Sequence, residues 1–156
     1  MLLKEILTND FFHIGLEAND KEGIIKEIAK FFEKAHLLNY QSTFDALWAR
    51  EQKGSTGLGK GLAVPHARVP KVGSMKLVVF YSKEGKDFKA YDNVPTNLFF
   101  AAIIDEDANP QEQLEMLRVI VETYESTDLI AALKEVTTIS SLKEIVVRRI
   151  TETQNG

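Results

Sequence analysis

Cysteine is absent from this chain of 156 residues. That excludes a disulfide scaffold, a thiolate nucleophile and any thiolate metal site, and it fits a reducing cytoplasm. An excess of positive charge is missing too. Nineteen lysines and arginines stand against twenty-three aspartates and glutamates, a net charge of −4. Nucleic-acid binders carry a basic footprint, so nucleic acid is disfavoured as a partner. Long apolar runs are lacking as well. The longest, Leu98–Ile104, falls far short of the ~18 or more residues of a membrane span. The segment from Met1 to Leu7 contains Glu5 and is too short for the apolar part of an export signal. Neither membrane insertion nor export is expected.

What is present suits a folded protein. Hydrophobic residues make up 44% of the chain, close to the globular average, which argues against disorder. The length predicts one domain over residues 1–156, burying roughly two-thirds of its unfolded surface.

The apolar patterning is mixed. Asn19 with Glu22 reads as a capping box, and Ile24, Ile25, Ile28, Phe31, Phe32 and Ala35 recur at helical spacing to about His36. A second helix is predicted from near Tyr40 to Glu51, with Phe44, Leu47 and Trp48 inward and Arg50 in its last turn. Three strands follow, at Leu62–Val64, Lys76–Tyr81 and Leu98–Ile104. The last two are near-continuous apolar runs, as for strands covered on both faces. Phe88–Val94 reads as an added edge segment. Asn109–Pro110 opens another helix, proline being favoured at a first helical position, with Leu114, Leu117, Ile120 and Val121 as its stripe. Two further helices are expected, about Asp128–Lys134 and Ser141–Thr151. Together these predict an α/β, three-layer domain, a mixed sheet of about five strands flanked by helices on both faces.

The chemistry concentrates between Arg50 and Arg68. A glycine-rich loop, Gly54–Gly61, runs into Pro65–His66, with an arginine on each flank. Glycines let backbone N–H groups crowd around an anion, and guanidinium groups neutralise it. A neutral imidazole is a nucleophile that can itself carry a transferred group. The proline fixes the chain just before that imidazole, a restraint useful to a histidine that must face a substrate group. The parts point to a histidine that handles phosphate. A plainer account of the glycines is a tight connection needing positive φ.

Two nucleotide motifs fail here. Gly54 to Lys60 fits most of a P-loop, but Gly61 stands where serine or threonine should hold magnesium. The loop also follows a helix rather than a strand. Gly57, Gly59 and Gly61 are spaced two apart, whereas the dinucleotide fingerprint places its third glycine three residues after the second.

The run from Arg50 through Gly54–Ser55–Thr56–Gly57–Leu58–Gly59 to Pro65–His66 resembles the active-site signature of enzyme IIA domains of the bacterial phosphoenolpyruvate-dependent sugar phosphotransferase system. The subclass is the fructose/mannitol type, which includes the nitrogen-regulatory IIA proteins. Phe88–Asn93 ahead of a buried strand, then Pro110 and a helix, follows the family's order of elements. The resemblance implies that His66 accepts a phosphoryl group from the phosphorylated histidine-containing phosphocarrier protein and passes it to a IIB component. Arg50 matches the family's active-site arginine. Gly54, Ser55, Thr56 and Gly57 would form a phosphate-binding loop, donating from amides and hydroxyls. No metal or cofactor is implied. Arg68 matches no family position and reads equally well as a solvated charge.

One departure stands out. The family brings a second histidine to the nucleophile from the helix after the long strands, and Gln113 occupies that place here. Glutamine can donate a hydrogen bond but cannot carry charge, so transfer with less charge stabilisation and a weaker pH response is expected. Gln113 as an ordinary polar helix residue is the alternative. The resemblance leaves two functions open: a phosphocarrier in sugar uptake, or a regulatory protein whose His66 phosphorylation controls binding to protein targets. His13, His36 and Trp48 read as structural residues.

Overall fold

The computed structural model describes residues 3–8 and 11–155; Met1, Leu2, Asn9, Asp10 and Gly156 lie outside the described residues, and with them part of the amino-terminal segment. Along the chain run a 3-10 turn (Leu3–Ile6), β1 (Phe12–Ile14), α1 (Lys21–His36) and α2 (Tyr40–Gln52). Three short strands follow, β2 (Gly57–Gly59), β3 (Leu62–Ala63) and β4 (His66–Val69), then two long ones, β5 (Lys76–Lys86) and β6 (Thr96–Asp105). The chain closes with α3 (Pro110–Ser126), α4 (Leu129–Ala132) and α5 (Ile139–Asn155).

The two long strands explain the layering. Side chains alternate between the faces of a strand. On β5 and β6, Leu77, Val79, Tyr81, Leu98, Phe100, Ala102 and Ile104 enter one core, beneath Met116, Val119 and Ile120 of α3 and Leu142, Val146 and Ile150 of α5. Their neighbours Val78, Phe80, Phe99, Ala101 and Ile103 enter the other, beneath Ile24, Ile25, Ile28 and Phe32 of α1 and Leu47 of α2. Both faces are therefore dry, which is why the sequence shows unbroken apolar runs. Each fully buried side chain of this kind is worth ~1.5–3 kcal/mol relative to exposure.

β6 is the central strand. β5 lies antiparallel on one edge with β1 parallel outside it. On the other edge β3 and β4 follow one another, both parallel to β6, with Leu62 opposite Leu98 and His66 opposite Ala102. Pro65 separates them, since it has no N–H to donate. Its carbonyl still accepts from Ala102 N–H at 2.9 Å, and pairing resumes at His66.

The sheet has six strands where about five were expected. The glycine loop is itself a hairpin, β2 and β3 pairing antiparallel across Lys60–Gly61. Both turn residues have positive φ, +57° and +93°, the geometry of the tight turn that matches strand twist. At Gly61 a Cβ would come within 2.9 Å of the Tyr124 hydroxyl. Phe88–Val94, expected as an edge segment, forms turns instead. Asp92 explains this, since its carboxylate accepts the Lys60 and Val94 amides at 2.8 and 3.0 Å and ties the segment to the hairpin.

Two helix details also differ. The cap of α1 is Asp20, not Asn19: Asp20 Oδ1 accepts from Gly23 N–H at 2.8 Å, while Asn19 accepts from Lys86 Nζ. On α3 the inward line is Met116, Val119, Ile120, Thr123 and Tyr124, and Leu114 is 57% exposed. Residues 114 and 116 stand about 200° apart around a helix of 3.6 residues per turn, so both cannot face the core.

Candidate functional site

His66 opens β4 at the break that Pro65 makes in the sheet edge. Register with Ala102 turns its side chain toward the α3 face, as Arg68 is turned opposite Ile104. The residue is 9% exposed. Its Nδ1 lies 2.7 Å from the Val64 carbonyl. A carbonyl only accepts, so Nδ1 carries the proton and Nε2 keeps its lone pair as the nucleophilic end. Burial pushes the imidazole below its usual pKa, and the Arg50 charge adds to this; the Val64 bond and the Glu51 charge oppose it. The ring is therefore neutral at neutral pH.

His66 lines a cleft of about 390 Å³ together with Arg50, Lys53, Arg68 and Gln113. Three cations thus share one small opening with one neutral imidazole, electrostatics that suit an anion. A larger hollow of about 550 Å³ lies by Ser74 and Met75, but it is lined by Asp105, Asp107 and Glu112, which would repel an anion.

Arg50 stands in the last turn of α2, where its NH1 donates to the Gly54 carbonyl at 2.9 Å. One nitrogen anchors the guanidinium and the others remain for a ligand. Gln113, from the first turns of α3, lies on the same cleft, and its Oε1 accepts from Arg68 Nε at 3.1 Å. Its amide nitrogen is left as the donor end. Arg68 is not a loose surface charge. Its NH1 also reaches the carbonyls of Ala108 at 3.1 Å and of Asp105 and Glu106 at 3.4 Å.

The glycine loop needs a correction. Gly54, Ser55, Thr56 and Gly57 were expected to cradle an anion with their amides, yet three of those donors are already used. Gly54 N–H bonds the Glu51 carbonyl at 3.2 Å, Thr56 N–H bonds Glu51 Oε2 at 2.9 Å, and Gly57 N–H bonds Ser55 Oγ at 3.0 Å. The Thr56 hydroxyl also donates to Glu51. The physical reason is that the loop bonds to itself and to Glu51, whose carboxylate takes both the amide and the hydroxyl of Thr56. Ser55 Oγ accepts from Lys21 Nζ at 3.1 Å as well.

Glu51 is the residue the sequence reading passed over. It is 5% exposed and pairs with Lys21 Nζ at 2.6 Å. A signal was available. Thr43, Leu47 and Glu51 are the buried residues of α2 and recur at four-residue intervals, so a carboxylate sits on the apolar stripe. His13 and His36 keep structural surroundings. His36 packs 3.9 Å from the Phe11 ring and bonds the Leu77 carbonyl, and His13 lies against Phe31 and Phe80. Trp48 stacks on Phe44 at the edge of the α1 and α2 core. Among the described residues no group of three or more His, Cys, Asp or Glu is placed to hold a metal, and no helix is long and apolar enough to cross a membrane.

Fold and site define a class, a three-layer α/β protein presenting a tautomer-fixed histidine to a cationic cleft. Residues 5–148 match the family described as "Phosphoenolpyruvate-dependent sugar phosphotransferase system, EIIA 2", and the chain belongs to that family. It is 32% identical over 155 residues to the "Nitrogen regulatory protein" of Pseudomonas aeruginosa, covering 99% of this chain and 97% of that protein. The crystal structure of nitrogen regulatory protein IIA-Ntr from Neisseria meningitidis superimposes with a TM-score of 0.84 at 29% identity, over 94% of this chain and 99% of that one. The mannitol enzyme IIA of Escherichia coli, solved in complex with its phosphorylated enzyme IIB, shares the fold with a TM-score of 0.74 at 18% identity, over 91% and 97%.

Proposed function

We propose that the chain is a phosphocarrier domain over residues 1–156 that holds a phosphoryl group on His66 Nε2. The supporting observation is the fixed tautomer. Nδ1 is committed to Val64, so the reactive lone pair is Nε2, in a cleft lined by Arg50, Lys53 and Arg68. The donor is the phosphorylated histidine-containing phosphocarrier protein. The His66 Nε2 lone pair attacks phosphorus as the donor's P–N bond breaks, and that electron pair returns to the donor's imidazole. One P–N bond replaces another and no proton need move. Arg50 and the other cations offset charge on the equatorial oxygens, and Gln113 donates a neutral hydrogen bond. The chemistry needs no metal or cofactor, and the setting is cytoplasmic.

The acceptor that follows is a IIB component, as in the mannitol complex. A second reading rests on the end-to-end similarity to nitrogen regulatory proteins. In it the phosphorylated and free forms of His66 select different protein targets. Both use the same first step. The test is incubation with the phosphorylated carrier at neutral pH, then phosphate mapping by mass spectrometry. One phosphate on the peptide holding His66, absent in His66→Ala, is expected. Label elsewhere, or persisting in His66→Ala, would remove the proposal.

A further inference from the structure

We propose that Glu51 and Thr56 form a positioning relay that holds the His66 ring with Nε2 turned to the cleft. The inference rests on the phosphocarrier reading and adds to it two residues that do not touch the reacting atoms. The path is continuous. Glu51 accepts from Thr56 at both its N–H and its hydroxyl, the Thr56 carbonyl accepts from Val64 N–H at 2.9 Å, and the Val64 carbonyl accepts from His66 Nδ1 at 2.7 Å. The Val64–Thr56 link is backbone to backbone, side chains enter at the Glu51 and His66 ends, and Thr56 is itself 2% exposed.

Core stability alone does not account for this carboxylate. A buried ion pair is on average no better than well-packed apolar groups of the same volume. Lys21 offsets the charge of Glu51 at 2.6 Å, and its ammonium lies 4.7 Å from the centre of the Phe88 ring. What an apolar side chain could not do is fix the Thr56 peptide in direction. β2 and β3 are short: they pair with each other at Gly57 with Ala63 and Gly59 with Leu62, and β3 meets β6 at Leu62 with Leu98 and Ala63 with Phe99. Val64 stands between Ala63, paired with Phe99, and Pro65, whose carbonyl takes the Ala102 amide, and its own N–H is committed to the Thr56 carbonyl. Anchoring Thr56 at two points therefore sets where the Val64 carbonyl stands, and that carbonyl sets the tautomer and tilt of the ring. Catalytic side chains displaced by about an ångström lose much of their rate.

The experiment has two readouts on full-length protein at pH 8. Long-range 1H–15N spectra of the imidazole report the tautomer without any phosphate donor, and phosphate uptake from the phosphorylated carrier reports the rate. The native protein should show Nδ1–H alone. Thr56→Val, which removes the hydroxyl and keeps the volume, should show both tautomers and take up phosphate about tenfold more slowly. Thr56→Ser should restore both signals to near native. If Thr56→Val does not fold, Thr56→Ala carries the same expectation, since it too removes the hydroxyl that Glu51 accepts from. A folded variant with Nδ1–H alone and a native rate overturns the relay. So does one that mixes tautomers at a native rate. Failure of the native protein to accept phosphate would overturn the phosphocarrier reading instead, while the spectra still decide the relay.

Discussion

Replacing Arg50 with alanine separates charge from scaffolding at this site. The guanidinium does two things: it lines the cleft beside His66 and donates through NH1 to the Gly54 carbonyl at 2.9 Å. The second role is modest. Losing one such bond costs about 0.5–1.5 kcal/mol, or a few degrees in Tm for a chain of this size, so Arg50→Ala should fold. The first is larger. Unit charges about 5 Å apart interact by about 3 kcal/mol at an effective dielectric of 20. Preorganised donors elsewhere are worth about 10²–10³ in rate. Arg50→Ala should therefore accept phosphate about 10²-fold more slowly. Arg50→Lys, which keeps the charge and loses the planar fork, should recover part of that. The pH of the assay matters. Burial is the main cause of the low His66 pKa, and Arg50 contributes to it, so its loss moves the imidazole upward. At pH 8 the ring stays neutral even at an unperturbed value near ~6.5, and a slower rate then reports transition-state charge. Single-turnover uptake by rapid quench is the measurement. A rate within about threefold of native, with an unchanged circular dichroism spectrum, would refute the assignment; on the transition-state scale threefold is under about 0.7 kcal/mol.

Four further outcomes are expected. Because burial holds the His66 pKa low, uptake should persist to lower pH than an ordinary imidazole titrating near ~6.5 would allow; a decline centred above that value would contradict the downward shift. The same shift lowers stability in acid. His66 and His36 are both held low, chiefly by burial, so the unfolded chain binds more protons as pH falls through ~6.5, and stability drops from there toward the folded values; urea midpoints at pH 8, 6 and 5 check this, with unchanged midpoints counting against it. Gln113→His should speed transfer or steepen its pH dependence, and Arg68→Ala, which frees Gln113 Oε1, should slow it; no change in either would make Gln113 an ordinary polar helix residue.

The layers and the placement of His66 beside Arg50 were legible because they rest on local signals. Alternation on two long apolar strands, Pro110 behind Asn109, and a proline fixed before His66 each carry their meaning within a few residues. What escaped depends on contacts distant in sequence. Strand β4 is set by pairing with β6, more than thirty residues away, and not by its own composition. The turns at Phe88–Val94 follow from Asp92 reaching Lys60. The donors of the glycine loop are spent on Glu51 and Ser55, which a glycine count cannot reveal. Arg68 acquires its role only where α3 brings Gln113 beside it.

The most direct test is to load the native protein with phosphate from the carrier and assign the phosphorylated ring nitrogen by 31P–15N correlation. Phosphorus bonded to His66 Nε2, with Nδ1 still protonated, is the predicted result. Phosphorus on Nδ1, or on any side chain other than His66, would contradict the mechanism.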